Sequence, residues 1–122
     1  MRTLENNSAL RILVVDDEHL IADTIVAILR QHGHEAMAAY DGTEAVERAR
    51  QYCPDFMISD VFMPGLNGIE AARMVCGICP AVKIILFSGH AALPESLGCE
   101  ESEFEILPKP VHPATLLERI KQ

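Results

Sequence analysis

The sequence predicts an α/β fold in which a buried parallel sheet lies between two layers of helices, and three observations carry that expectation. Short apolar runs alternate with segments of helical spacing from one end of the chain to the other, the signature of a repeated βα unit. The runs Ile12-Leu13-Val14-Val15, Phe56-Met57-Ile58 and Ile84-Ile85-Leu86-Phe87 are continuously apolar, as strands covered on both faces must be. Each run is also followed by a chemically distinctive group: Asp16 and Asp17 after the first, Asp60 after Ser59, Ser88 after Phe87. Lys109 likewise follows Phe104-Glu105-Ile106-Leu107-Pro108.

Taken in order, the first strand leads into a helix with Ile21, Ile25, Ile28 and Leu29 at helical spacing, stopped by Gly33. His34 to Tyr40 reads as the second strand. Asp41 and Glu44 have the spacing of a capping box and open a helix with Ala45, Val46 and Ala49 towards the core, closed by Pro54. Asp55 to Asp60 is the third strand. Pro64, Gly65, Asn67 and Gly68 force a loop, after which Ile69, Ala72 and Cys76 continue as a helix that ends before Pro80. Val82 to Ser88 is the fourth strand. Between Ala91 and Ser102, Pro94 and Gly98 disfavour a long helix, so a short or irregular one is expected. Pro113 suits a helix start, and Leu116, Leu117 and Ile120 give the last helix its buried stripe.

With 122 residues, 49% hydrophobic and 23% charged, the chain has the balance of one globular domain. Residues 1–9 read as a polar N-terminal extension and residues 10–122 as the folded domain. No apolar run reaches membrane-spanning length and the polar opening lacks the centre of a signal peptide, so a cytoplasmic protein without membrane contact is expected. A net charge of −8 disfavours direct binding to nucleic acid, which needs a basic surface. Glu100, Glu101, Glu103 and Glu105 form an acidic strip that reads as solvated. Cys53, Cys76, Cys79 and Cys99 are expected to be reduced in such a compartment. Cys76-Gly77-Ile78-Cys79 has redox spacing, yet falls at a helix C-terminus, where thiolate is not stabilised.

In a parallel sheet the strand C-termini share one edge, where α/β proteins bind ligands. Asp16, Asp17, Asp60, Ser88 and Lys109 therefore converge although they are scattered along the chain. Clustered carboxylates repel one another unless a cation neutralises them, and an all-oxygen set suits hydrated Mg²⁺. A hydroxyl and an ammonium beside it suit phosphoryl oxygens. Asp60 is the candidate nucleophile, being ionised at neutral pH where an isolated serine is not.

The stretches Val14-Val15-Asp16-Asp17-Glu18, Ser59-Asp60-Val61-Phe62-Met63-Pro64-Gly65-Leu66-Asn67-Gly68, Phe87-Ser88-Gly89-His90 and Lys109-Pro110 together resemble the receiver domain of two-component response regulators, from about Arg11 to Ile120. The resemblance implies a doubly wound, three-layer α/β/α fold with a flavodoxin-like five-stranded sheet in the order 2-1-3-4-5. It implies that Asp60 accepts a phosphoryl group from a histidine kinase or histidine phosphotransfer protein. Mg²⁺ would be held by Asp16, Asp17, Asp60 and the backbone carbonyl of Phe62. Ser88 and Lys109 would meet phosphoryl oxygens, and the Lys109-Pro110 bond would be cis. Glu18 is expected to face solvent, Gly89 to leave the approach to Asp60 open, and His90 to be a polar loop residue near the site. The chain departs from the commonest pattern at Ile106, where a Tyr or Phe usually stands. The output is therefore expected to rely on displacement of the segment from Ala91 to Glu105. Two rivals are a receiver-like docking module that is not phosphorylated and a phosphohydrolase working through an aspartyl phosphate. Enzymes of the second kind typically carry an Asp where this chain has Phe62.

Overall fold

Strands that are apolar on both sides can bury themselves only as the middle of three layers, and the chain builds such a stack. The computed structural model describes residues 9–89 and 104–121. Within them the order is β1 (Arg11–Val15), α1 (His19–Gln31), β2 (Glu35–Ala39), α2 (Gly42–Tyr52), β3 (Phe56–Asp60), α3 (Gly68–Ile78), β4 (Lys83–Ser88), β5 (Glu105–Pro108) and α4 (Pro113–Lys121). The five strands form one parallel sheet in the order β2-β1-β3-β4-β5. The expected fold is thus confirmed. The expectations for His90, for Cys99 and for the segment with Pro94, Gly98, Glu100, Glu101 and Glu103 lie outside the described residues.

Alternate strand residues serve opposite layers. Ile12, Val14, Ile58, Ile85 and Phe87 pack on the side of α1 and α4, with Ala22, Val26, Leu116 and Ile120. Leu13, Val15, Met57, Ile84 and Leu86 pack on the side of α2 and α3, with Ala45, Ala49, Ala72 and Val75. Ile106 joins this second cluster, partly buried.

The buried face of α1 differs from the expected Ile21, Ile25, Ile28 and Leu29 stripe. Ala22, Val26 and Leu29 are buried, while the three isoleucines are only partly covered. Ala22, Val26 and Leu29 recur at i, i+4 and i+7 and form the buried stripe, with the isoleucines on its flank. Caps differ as well. The Asp41 carboxylate accepts the Glu44 N–H at 2.7 Å, but Glu44 reaches the Tyr40 N–H instead of closing the box on Asp41. A complete capping box stands at α3, where Asn67 and Glu70 exchange hydrogen bonds of 2.9 and 3.0 Å. The exposed edge of β2 is blunted by a side chain: the Arg30 guanidinium donates to the Ala36 carbonyl at 2.8 and 3.1 Å.

The cysteine expectation is corrected. Cys53 and Cys79 are paired as a disulfide, with Cα atoms 5.7 Å apart, and Cys76 stays out of the bridge. Both partners sit at the C-terminal ends of helices that lie side by side, α2 and α3. No described helix is long and apolar enough to cross a membrane.

Candidate functional site

From the centre of the sheet the chain turns towards β2 after β1 and towards β4 after β3, so a crevice opens between the C-terminal ends of β1 and β3. Asp16 lies one residue beyond β1, where its N–H still donates to the Ala39 carbonyl at 3.1 Å. The ladder thereby holds its backbone in line, and only 1% of the residue is exposed. Asp60 is the last residue of β3, paired in register with Phe87 and 7% exposed. Asp17 is exposed. One carboxylate oxygen from each of Asp16, Asp17 and Asp60 falls within 4.8 Å of the others.

Lys109 enters from the end of β5. Its N–H donates to the Ser88 carbonyl at 2.8 Å and its peptide bond to Pro110 is cis. The ammonium lies 3.1 Å from Asp60 Oδ2 and 3.5 Å from Asp16 Oδ2. Ser88 is buried at the end of β4, opposite Pro108. Phe62 stands two residues past Asp60 with its ring half exposed, between the buried Val61 and Met63. Glu18 is exposed, as expected, and its N–H donates to Asp16 Oδ1 at 2.9 Å. A side chain at Gly89 would meet open space.

Three carboxylates facing one ammonium leave the site short of positive charge. Burial raises the Asp16 pKa above the usual 3.8, and the charges of Asp60 and Asp17 add to that, against the Glu18 N–H and Lys109. Burial alone would lower the Lys109 pKa, but its hydrogen bond to Asp60 and the charge of Asp16 outweigh it and the pKa is raised. The two shifts agree: the lysine has two acids to itself, whereas the acids share one lysine. Asp16 Oδ2 is buried and met only by the Lys109 ammonium at 3.5 Å, too long for a well-formed hydrogen bond. An orphaned carboxylate oxygen within an all-oxygen acidic cluster is what a hard divalent cation completes, so these residues fit Mg²⁺.

Two features of the site went unread in the sequence. Gly68, taken as a loop residue, begins α3 directly against the strand end. Its N–H donates to the Val61 carbonyl at 2.9 Å, and any Cβ there would collide with the Asp60 carbonyl. Only its place in the motif hinted at this. His19 stacks on Tyr40 with ring centroids 3.8 Å apart, and the Tyr40 hydroxyl donates to Asp23 at 2.6 Å. This ties the start of α1, just past the acidic pair, to the end of β2. No local pattern announces it.

Comparison with known proteins agrees with this geometry. The family model described as "Response regulator receiver domain" matches residues 12–121. Protein PilH of Pseudomonas aeruginosa is 34% identical over 113 residues, covering 90% of this chain and 93% of PilH. The DNA-binding response regulator MtrA of Mycobacterium tuberculosis is 31% identical over 111 residues, covering 91% of this chain but 49% of MtrA, so the chain spans about half the length of that relative. Among solved structures, a response regulator receiver domain from Clostridium thermocellum superposes with a TM-score of 0.81 at 34% identity, covering 91% of this chain and 90% of that one. The chain belongs to the response regulator receiver domain family.

Proposed function

We propose that this receiver takes a phosphoryl group onto Asp60 from a phosphohistidine on a histidine kinase or histidine phosphotransfer protein, in a Mg²⁺-dependent reaction, and that phosphorylation switches its affinity for an output partner. The observation that carries the reading is the convergence of Asp16, Asp17 and Asp60 on one point with Lys109 bridging two of them. A phosphorylated aspartate replaces one carboxylate with a dianionic group, and this cluster is built to receive added negative charge only when a metal is present.

Asp16, Asp17, Asp60 and the backbone carbonyl of Phe62 would hold the ion. When bound, Mg²⁺ supplies the charge neutralisation that lets an anionic phosphoryl group approach three carboxylates. A carboxylate oxygen of Asp60 forms the new O–P bond as the P–N bond of the phosphohistidine breaks, and the imidazole leaves with the electron pair. Lys109 pairs with Asp60 and Asp16 before the reaction and afterwards with a phosphoryl oxygen as a point charge. The Ser88 hydroxyl donates to another. The domain thus assists its own phosphorylation and dephosphorylation, and it acts as a signalling switch rather than as an enzyme on a separate substrate. Its net charge of −8 supports partner binding rather than direct binding to nucleic acid. The absence of a long apolar helix among the described residues is compatible with a cytoplasmic role.

Intact-mass analysis after incubation with a small acyl phosphate, with and without Mg²⁺, tests the reading. One acid-labile phosphoryl group, present only with metal, is expected. A turnover assay with phosphate esters separates the phosphohydrolase alternative.

A further inference from the structure

The Cys53–Cys79 pair lies at the opposite end of β3 from Asp60, and the site chemistry makes no use of it. We propose that these two cysteines form a reversible disulfide that answers to the thiol–disulfide balance around the protein and staples the loop that carries the phosphoacceptor. The segment enclosed between them contains all of β3, Asp60, Gly68 and α3.

The backbone is already arranged for the bond. A Cα separation of 5.7 Å falls in the middle of the range that disulfides adopt. Each cysteine is the C-terminal cap of its helix and is fixed by its own N–H, Cys53 to the Ala49 carbonyl at 2.9 Å and Cys79 to that of Val75 at 2.7 Å. The reduced form is also accommodated. Cys79 Sγ lies 3.6 Å from the Ala49 carbonyl, a ready acceptor for the thiol. Reversibility without unfolding requires that both states share this backbone.

Access decides the order of steps. Cys53 is exposed and Cys79 is 3% exposed, so exchange enters at Cys53. With oxidised glutathione as oxidant, the Cys53 thiolate attacks one sulfur of the glutathione disulfide, forming a mixed disulfide and releasing one glutathione thiolate. The Cys79 thiolate then attacks the Cys53 sulfur and expels the second. Two protein thiols are oxidised, one glutathione disulfide is reduced to two thiols, and the two protons pass to them. Helix C-termini disfavour thiolate, so the exchange is slow. That assigns the pair a stapling role and distinguishes it from the fast chemistry of a redox enzyme. Cys76, three residues before Cys79, does not enter the bridge despite its motif spacing.

The full chain should be incubated with oxidised or with reduced glutathione, quenched in acid, denatured and alkylated with a maleimide. Under oxidation, two of the four cysteines should become unreactive, with a mass loss of two hydrogens and a proteolytic cross-link mapping to Cys53 and Cys79. Reduced glutathione should reverse this. Closing a loop of this length should raise the Tm by on the order of 10 °C. Cys53→Ser, an exposed substitution that leaves the core intact, should remove both the cross-link and the dependence of Tm on oxidant. Four reactive thiols after oxidation, a cross-link to Cys76 or Cys99, a persistent glutathione adduct on Cys53, or a bridge without a Tm increase would each overturn the proposal.

Discussion

The two edges of the same sheet treat charge in opposite ways. At the N-terminal edge Arg11 and Asp55 match each other through the backbone: the Arg11 N–H donates to Asp55 Oδ2 and the Asp55 N–H to the Arg11 carbonyl, both at 2.8 Å. The Arg11 guanidinium donates to the Tyr52 carbonyl at 2.9 Å, lies over the Tyr52 ring and approaches Glu35. Lys83 stands over the Phe56 ring. These groups are exposed and partnered, which suits a surface whose task is to stay folded. At the C-terminal edge Asp16 and Asp60 are buried, with Asp17 beside them and Lys109 between two of them. An under-neutralised buried cluster costs stability and is retained where chemistry needs it. The contrast supports the proposed site at the C-terminal edge, and substitutions at both edges test it.

The largest effect should come from Asp60→Asn. Loss of the nucleophilic oxygen should abolish metal-dependent phosphoryl uptake, read as the absence of the added mass. Undiminished labelling of this variant would sink the assignment of the site to the C-terminal edge. Next comes Gly68→Ala, whose Cβ must displace the Asp60 carbonyl or the start of α3. Overpacking of that kind should cost about 2–3 kcal/mol in urea denaturation and slow phosphorylation as well. A neutral result would mean that the strand end yields easily and that the site is not held rigidly.

Lys109→Ala removes the only cation that the described residues place on the acidic cluster. Its charge-assisted bond to a phosphoryl oxygen, worth about 1.5–3 kcal/mol, translates into a roughly 10- to 100-fold slower phosphorylation, while Mg²⁺ titration should stay largely intact. Loss of Mg²⁺ affinity without a loss of rate would reverse the roles given to Lys109 and the acids.

How much of this contrast was legible beforehand depended on range. The strand-end acids could be read because each is announced by its own apolar run, and the parallel sheet then brings them together by necessity. The strand order came from resemblance, since no local pattern fixes which neighbours pair. Three things stayed hidden because they depend on how helices dock. The buried line of α1 runs through Ala22, Val26 and Leu29, a stripe that the three isoleucines beside it obscured. The close approach of Gly68 to Asp60 needs the direction of α3. The pairing of Cys53 with Cys79 spans a sequence separation of 26 and follows from α2 and α3 lying side by side, whereas all four cysteines read as reduced.

Asp16→Asn should separate stability from function. Because the folded pKa of Asp16 is raised above 3.8, the folded state holds this proton more tightly than the unfolded chain. Its contribution therefore turns unfavourable as pH rises through the window that begins at 3.8 and ends at the folded value, and stays so at neutral pH. The asparagine has no such slope. Without metal, the variant should be more stable than the parent at pH 7 by urea denaturation, with the difference shrinking as pH falls below that window. It should also lose most of its Mg²⁺ response. An Asp16→Asn protein less stable than the parent at pH 7 would show that Lys109 already compensates the buried charge in full.

The smallest effect is expected at the other edge, from Arg11→Ala. The backbone exchange with Asp55 survives the substitution, so only the guanidinium contacts with the Tyr52 carbonyl and ring and with Glu35 are lost. The Arg11 and Glu35 side chains are 52% and 65% exposed and their charges 3.9 Å apart, a pair that water and salt largely screen. The change should stay within about 1 kcal/mol, diminish in high salt, and leave the urea m-value, the Mg²⁺ titration and the phosphorylation rate unaltered. The reason is physical: a partnered charge at the surface stabilises little when present and costs little when removed, whereas a buried and under-neutralised one makes itself felt in both. A loss at Arg11 comparable with that at Gly68, or any shift in metal response, would break the division between the two edges.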